Sequence, residues 1–384
     1  MASLNEKLRT VKWGEFRLDD LFDVVSYKKR FDANKVNIYG TGRYPYIVRM
    51  GINNGQKGFI DEDTQYLNDG NTISFDQDTA TVFYQEQPYF TGDKIKILKP
   101  KYAAFNKGNS QFFISAMQLA FSQFAWGSSS FDVDIISDVM LSLPISSTGA
   151  IDFDFMESFV AELEAGRIAE LSAYLTVSGL NNYELSKEEE AAIKNYRSLQ
   201  WASYNLEALF GKSTRGKRLK SEDRIPGTLP FVTAGEAEEG VSAFIGNKVE
   251  VFEKNTTTID MFGSAKYRNY SYGADDHVAA VHTESLPIKA AIFVTSACHK
   301  AAHTGKFDYG HNFYAKDADA LDIMLPTKNG NPDYQAMETL ISAIQKLVIK
   351  GVVKYADSKI AARKRSLEAA NGKRIKRNRR QSNE

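Results

Sequence analysis

The sequence holds one cysteine, Cys298, among 384 residues. A single thiol excludes an intrachain disulfide framework and suits a reducing compartment. An excess of charge of either sign is also missing: 48 Lys and Arg stand against 48 Asp and Glu, a formal net charge of zero. That excludes a nucleic-acid binder working by bulk charge, so any such role must rest on where the cations stand. No apolar run reaches the roughly 18 residues that a membrane-spanning helix requires. Met1 to Trp13 is polar and charged where a secretory leader would be apolar. These absences predict a soluble, cytoplasmic chain without a membrane segment. Histidine is scarce and confined, all five lying between His277 and His311 beside the cysteine.

What the chain does have is an internal repeat of roughly 185 residues, far too long for a solenoid unit. Trp13-Gly14-Glu15-Phe16-Arg17-Leu18-Asp19-Asp20-Leu21-Phe22 returns as Trp201-Ala202-Ser203-Tyr204-Asn205-Leu206-Glu207-Ala208-Leu209-Phe210. Further matches follow in the same order. Lys28-Lys29-Arg30-Phe31 meets Gly216-Lys217-Arg218-Leu219, and Tyr44-Pro45-Tyr46-Ile47-Val48 meets Leu229-Pro230-Phe231-Val232-Thr233. Thr72-Ile73 meets Thr258-Ile259, and Trp126-Gly127 meets Tyr309-Gly310. Leu143-Pro144-Ile145 meets Leu325-Pro326-Thr327, and Phe153 with Met156-Glu157 meets Tyr334 with Met337-Glu338.

Both copies share a grammar. Short β-branched and aromatic runs broken by Gly, Asn and Asp predict strands joined by turns. They are Thr72 to Phe75, Thr81 to Tyr84 and Lys94 to Leu98, then Val249 to Phe252, Thr256 to Phe262 and His277 to His282. A short helix is predicted in each middle, Ser110 to Phe121 and Ile288 to Ala297. Each copy then closes on an apolar stripe at helical spacing. The first runs Met156, Phe159, Val160, Leu163, Ile168, Leu171, Leu175, over about 152–176, with Asp152 as its cap. The second runs Tyr334, Met337, Leu340, Ile341, Ile344, Leu347, Val348, on to about Ile360, with Asn331-Pro332 as its start. Ser186 with Glu189 reads as a capping box for another helix up to about Leu199.

Several features together carry a family likeness: the paired Trp-x-x-aromatic-x-Leu-x-x-Leu-Phe openings, the basic turn after each, the closing Leu-Pro-(Ile/Thr) and the long helix beyond. In these the chain, over about 11–365, resembles the specificity subunits of Type I restriction–modification systems and their relatives in Type IIB systems. The resemblance implies an α+β protein of two similar β-rich target-recognition domains, separated by long antiparallel, coiled-coil-like spacer helices. The chain then divides into an N-terminal extension (1–10), a first recognition domain (11–150), spacer helices (151–199), a second recognition domain (200–328), a C-terminal spacer helix (329–362) and a basic, disordered tail (363–384). For the tail, contact with flanking phosphates stays open as well.

The same likeness implies a non-catalytic subunit reading a bipartite, asymmetric site on double-stranded DNA, one half per domain. DNA methyltransferase subunits, alone or with a nuclease, would dock on it and supply S-adenosylmethionine, this chain holding no cofactor. Helices of about 25 residues reach about 38 Å, close to one turn of B-form DNA. They would serve as ruler and as docking surface, through Leu163, Leu171, Leu340 and Leu347. A standalone nucleic-acid-binding module without a modification partner remains the alternative.

Placed rather than summed, the charges fit this reading. Lys28, Lys29 and Arg30 share a turn, echoed by Lys212, Arg215, Lys217 and Arg218. Loop cations neutralise phosphates, and a subset of Arg, Asn or Lys reaching base edges supplies sequence preference. Arg49, Asn54 and Lys57 in the first copy, and Lys266 and Arg268 in the second, complete the DNA-binding candidates. The compensating acids gather on the helices, as in Glu157, Glu162, Glu164, Glu170 and Glu188 to Glu190.

Catalytic look-alikes fall short. His299 and His303 have the spacing of a zinc-protease helix, but Lys300 stands where the general base belongs. Cys298, His299, His303 and His311 could hold a structural metal; histidines lining a recognition surface are the preferred reading. Asn331-Pro332-Asp333-Tyr334 departs from an amino-methyltransferase motif at its third position, and no cofactor glycine motif precedes it. Gly211-Lys212-Ser213-Thr214 ends like a phosphate loop, but Leu206 replaces its first glycine.

Overall fold

A computed structural model describes residues 2–122 and 133–381. The chain forms two compact units, Met1–Leu171 and Ser172–Glu384. The first contains α1 (Ala2–Thr10), β1 (Lys12–Arg17), α2 (Leu18–Leu21), β2 (Phe22–Ser26), β3 (Pro45–Ile47), β4 (Gln56–Phe59), β5 (Thr72–Asp76), β6 (Val82–Gln85), β7 (Phe90–Thr91), β8 (Ile95–Pro100), α3 (Ser110–Phe121), α4 (Val133–Ser137), β9 (Met140–Ile145) and the long α5 (Phe153–Val177). The second contains α6 (Lys187–Asn195), β10 (Trp201–Asn205), α7 (Leu206–Phe210), β11 (Thr214–Arg215), β12 (Pro226–Val232), β13 (Val241–Ile245), β14 (Thr256–Asp260), β15 (Ala265–Arg268), β16 (Gly273–Ala274), β17 (Val278–Val281), α8 (Ile288–Ala302), α9 (Ala315–Asp319), β18 (Asp322–Lys328), β19 (Asn331–Pro332) and α10 (Tyr334–Gln381).

The two units repeat one topology. A four-stranded sheet runs β2-β8-β5-β6 in the first and β11-β17-β14-β15 in the second. A three-stranded sheet runs β4-β3-β7 and β13-β12-β16, with the third strand parallel to the middle one in both. The opening tryptophan strand returns to pair with the closing Leu-Pro strand: Trp13 lies opposite Pro144, and Trp201 opposite Pro326. An aspartate then starts each long helix. The Asp152 side chain accepts from the Phe155 N–H at 2.9 Å, and the Asp333 side chain from the Ala336 N–H at 3.0 Å. The second helix is therefore capped by Asp333, while Asn331-Pro332 forms the short β19 against β18 instead of the helix start read from the sequence.

Other expectations change as well. In β5 and β14 the equivalent of Thr72 is Thr256, not Thr258. Thr72 pairs with buried Tyr89 at 3.1 Å, and Thr256 with buried Tyr272 at 3.0 Å. A shift of two residues keeps every side chain on its own sheet face, so the pattern could not reveal it. Val249 to Phe252 is no strand, contributing only an isolated bridge from Phe252 to Tyr272. The helix α10 continues through the basic segment to Gln381 in place of a disordered tail from 363. The linker helix stops at Asn195, and a 3-10 turn at Tyr196–Ser198 carries the chain to Leu199. The Trp126-Gly127 match lies outside the described residues.

Each unit has its own core under the middle helix. The first is aromatic: Phe22 meets Phe105 and Phe113 edge-on at 5.4 and 5.6 Å, with Leu141, Leu143 and Met156 closing it. The second uses Ala279, Ala290, Ala302 and Ala318 among Val294, Cys298, Phe313 and Met337. Met156 and Met337 are both fully buried, so each long helix begins as part of its own unit's core.

The linker is fastened locally. Ser186 and Glu189 make the reciprocal capping box on α6, and Lys346 of α10 donates to Glu189 at 2.8 Å. Burial opposes the Glu189 charge, but hydrogen bonds from Lys346, the Ser186 N–H and Ser342 hold its carboxyl down to about 2. Its ordinary value is 4.5, so this contribution is complete above that pH and is lost as pH falls toward 2. Glu189→Gln should therefore destabilise the chain at neutral pH and abolish part of its acid sensitivity between those values. Urea midpoints measured across that range would show it; parallel pH profiles for both proteins would refute it.

A second test concerns one turn built twice. Val48 and Thr233 each donate their N–H to a glycine carbonyl seven residues on, Gly55 and Gly240, both at 2.8 Å. Asn53 and Asn54 precede the first glycine at φ of 51° and 55°; Glu238 and Glu239 precede the second at 47° and 55°. Asn tolerates this left-handed region and Glu does not. Both glutamates are exposed, so Glu238→Asn should stabilise the second unit by about 0.5–1 kcal/mol, read as a raised urea midpoint with unchanged slope.

Candidate nucleic-acid interface

The basic turn of each unit follows β2 or β11, the edge strand of the four-stranded sheet, and passes the end of the parallel pair. In the first unit Arg30 bridges to Thr91 of β7. In the second, Gly216 lies so close to Ala274 of β16 that a Cβ would come within 1.6 Å of the Ala274 carbonyl oxygen. Only glycine lets the chain pass there, and the passage delivers Lys217 and Arg218 to the surface.

The candidates sort by their partners. Lys28, Lys57, Lys212, Arg215, Lys217 and Arg218 are exposed and, among the described residues, have no carboxylate in ion-pair range. Lys29 lies over the Tyr66 ring at 4.3 Å. Arg30 faces Asp93 at 3.5 Å. Arg49 pairs with Asp78, which Lys94 also holds at 3.0 Å; those hydrogen bonds, Lys94 first, outweigh burial and keep the Asp78 carboxyl below its usual range. Arg218 lines a cleft of about 380 Å³ with Arg224 and Asp275, and Arg215 one of about 360 Å³ with Tyr314 and Lys316. Burial raises the Asp275 carboxyl above its usual range, as does neighbouring Asp276.

Three candidates serve the fold instead. Arg268 is 1% exposed. Its guanidinium donates to Thr258 at 3.0 Å and Tyr270 at 3.0 Å, as Gln85 in the matching position donates to Ser74 at 2.9 Å. Lys266 is folded onto Glu236 at 3.3 Å and Asp260 at 3.8 Å. The Asn54 amide donates to the Tyr84 carbonyl at 3.1 Å. Period-two alternation would have placed Arg268 on the same face as Lys266, but nothing in the sequence shows that this face lies under the Gly240 turn. Lys316, beside Arg215, was missed, and its surroundings in sequence carry no signal.

On the helices, Leu340 is 1% exposed and packs within its own unit, so it is no docking residue. Leu347 remains exposed, and Leu171 half-buried. Half-buried Leu163 lines an apolar groove of about 580 Å³ with Trp13, Phe112, Leu119, Met140 and Phe159. Cys298 sits in the core, where burial pushes its thiol up to about 12. His299 accepts from the Ala265 N–H at 3.1 Å and stacks on His303 at 4.7 Å. Among the described residues the one cluster with metal-like spacing is Asp275, Asp276 and His277, away from the set that the sequence suggested.

Comparison with known proteins decides the kinship. Residues 10–173 match the family described as the Type I restriction modification DNA specificity domain. Over those residues the chain carries that specificity domain. One relative of the chain is the "Type II restriction enzyme BgcI specificity subunit S.BcgI" of Heyndrickxia coagulans, 25% identical over 347 residues, 88% of this chain and 96% of that protein. Among solved structures, the Type-I restriction-modification system S subunit from M. genitalium matches with a TM-score of 0.58 at 15% identity, over 92% of this chain and 93% of that one. That match shows the fold. DNA sequence recognition is the role of the matched domain in the first unit, and a specificity subunit is non-catalytic. The second unit repeats its topology.

The sorting of cations is testable. Replacing Lys217 and Arg218 by alanine should lower the slope of log affinity against log salt by about two, one for each phosphate no longer neutralised, while stability is unchanged. Arg268→Ala should leave the slope unchanged and cost about 2–4 kcal/mol, through the cavity and the hydrogen bonds lost to Thr258 and Tyr270. DNA titrations over a salt series, with urea unfolding alongside, separate the two.

Proposed function

We propose that the subunit reads a bipartite, asymmetric site on double-stranded DNA, one half-site per unit, and that methyltransferase subunits docked on it modify that site. The observation that carries this reading is the doubled topology, with a cationic turn delivered to the surface at the same place in each unit. One unit would suffice for one short sequence; two of the same build, with different loop residues, suit two different half-sites. Phosphate contacts come from the unpaired cations of the turns and supply affinity without sequence preference. The separation between half-sites is set by the long helices. Partner subunits supply S-adenosylmethionine and the methyl-transfer chemistry, and a nuclease where the system cleaves. Docking uses half-buried Leu171 and exposed Leu347 on the helices, together with the groove at Leu163. No helix among the described residues is long and apolar enough to cross a membrane, and DNA as substrate places the work in the cytoplasm.

The test is an exchange. Replacing residues 200–328 by the matching domain of a relative should change one half of the methylated sequence in a host methylome. The other half and the gap should stay as they were. Simultaneous change of both halves would refute independent reading, and methylation by the purified chain alone would refute the division of labour.

A further inference from the structure

The histidine-rich stretch between α8 and α9 forms a feature that phosphate contacts and half-sites leave unused. Its centre is the turn Asp308-Tyr309-Gly310-His311. The Asp308 N–H donates to the His311 carbonyl at 3.1 Å, and the His311 N–H to the Asp308 carbonyl at 3.2 Å. The Asp308 carboxylate also accepts from the Gly310 and His311 N–H groups, at 2.8 and 2.9 Å. The N–H groups of Asp308, Gly310 and His311 are thus satisfied from within the turn.

At its tip stands Tyr309, 85% exposed, the most exposed aromatic side chain among the described residues. Its ring meets Phe262 edge-on at 5.2 Å. Phe262 belongs to the β14–β15 turn, itself pinned by Asp260, which accepts from the Phe262 and Ser264 N–H groups at 3.0 Å each. In that turn Gly263 has φ +82° and approaches the Ala302 carbonyl so closely that a Cβ would stand 2.4 Å from it. Two rigid turns therefore converge to hold one ring out in solvent. Lys306 and His303 of the same stretch are exposed; Lys306 lies over the Phe307 ring at 6.0 Å and has no carboxylate in ion-pair range among the described residues. A ring fixed in water forgoes its burial, and the fixed backbone means that little further ordering is needed when a ligand covers it. Base edges with their thymine methyls and aromatic faces suit the ring, and the adjoining phosphates suit the lysine.

We propose that Tyr309 is a specificity-determining residue: its ring enters a groove of the half-site read by the second unit and contacts a base, while Lys306 contacts a neighbouring phosphate. The inference rests on the DNA-recognition reading above. The test uses the full chain assembled with its methyltransferase and a duplex library randomised across the methylated site, the bound fraction being sequenced. Tyr309→Ala is expected to flatten the preference at one or two base pairs of one half-site, roughly 10-fold, leaving the other half intact. Tyr309→Phe should keep the preference. Lys306→Ala should weaken all sequences alike and lower the salt slope by about one. If Tyr309→Ala keeps the wild-type preference, or weakens every sequence equally, this inference falls while the recognition reading stands. A phenylalanine variant as relaxed as the alanine one overturns the ring contact. If the wild-type assembly shows no preference at all, the recognition reading falls and this inference with it.

Discussion

Each unit depends on one long-range pairing, between the strand that opens it and the strand that closes it. Trp13 opposite Pro144 and Trp201 opposite Pro326 join segments that lie far apart in sequence. The pairing positions Asp152 or Asp333 one step beyond the sheet, where its carboxylate caps the long helix, and it brings Met156 or Met337 into the core beneath the middle helix. The sheets, the cationic turn beside them and the direction in which the helix leaves all follow from this closure. Pro144 and Pro326 are tolerated because each is paired on one side only, β19 reaching β18 just beyond Pro326, and a proline costs a ladder hydrogen bond only where its N–H faces a neighbour.

The elements that the chain's pattern made legible are those with strong periodicity or a cap. The helix starting after Asp152 is found at Phe153–Val177, the short middle helix at Ser110–Phe121, and the Ser186–Glu189 box where its spacing placed it. The duplication was legible because its landmarks are tryptophan, proline and paired leucines, which few positions tolerate. Register within β14 was not, since a two-residue slip changes no face. Nor was the fate of individual cations. Arg218 and Arg268 look alike in sequence, yet one reaches solvent past a glycine and the other fills the place that Gln85 takes in the first unit. The fold asks that position for a donor to a hydroxyl, and amide or guanidinium satisfies it; only the tertiary surroundings reveal that the charge is hidden.

Zero net charge then ceases to argue against DNA binding. Acids such as Asp78, Asp93 and Asp260 are spent on pinning loops and neighbouring cations inside the recognition units, and Glu189 on fastening a linker. The cations left over, Lys217 and Arg218 among them, stand exposed with no carboxylate in ion-pair range among the described residues. Local field, not the sum, is what a phosphate meets.

The late closure also has a kinetic side. A ribosome adds about 5–20 residues per second, so β1 waits on the order of ten seconds before β9 exists to cover it. During that wait its hydrogen-bonding edge is open to any other strand, the usual route to aggregation. The nascent strand carries its own guard: Lys12, Glu15 and Arg17 lie along its six residues, all beside apolar neighbours and all charged. Those side chains contribute nothing to the finished core, and their value lies in keeping the strand solitary until its partner has been synthesised.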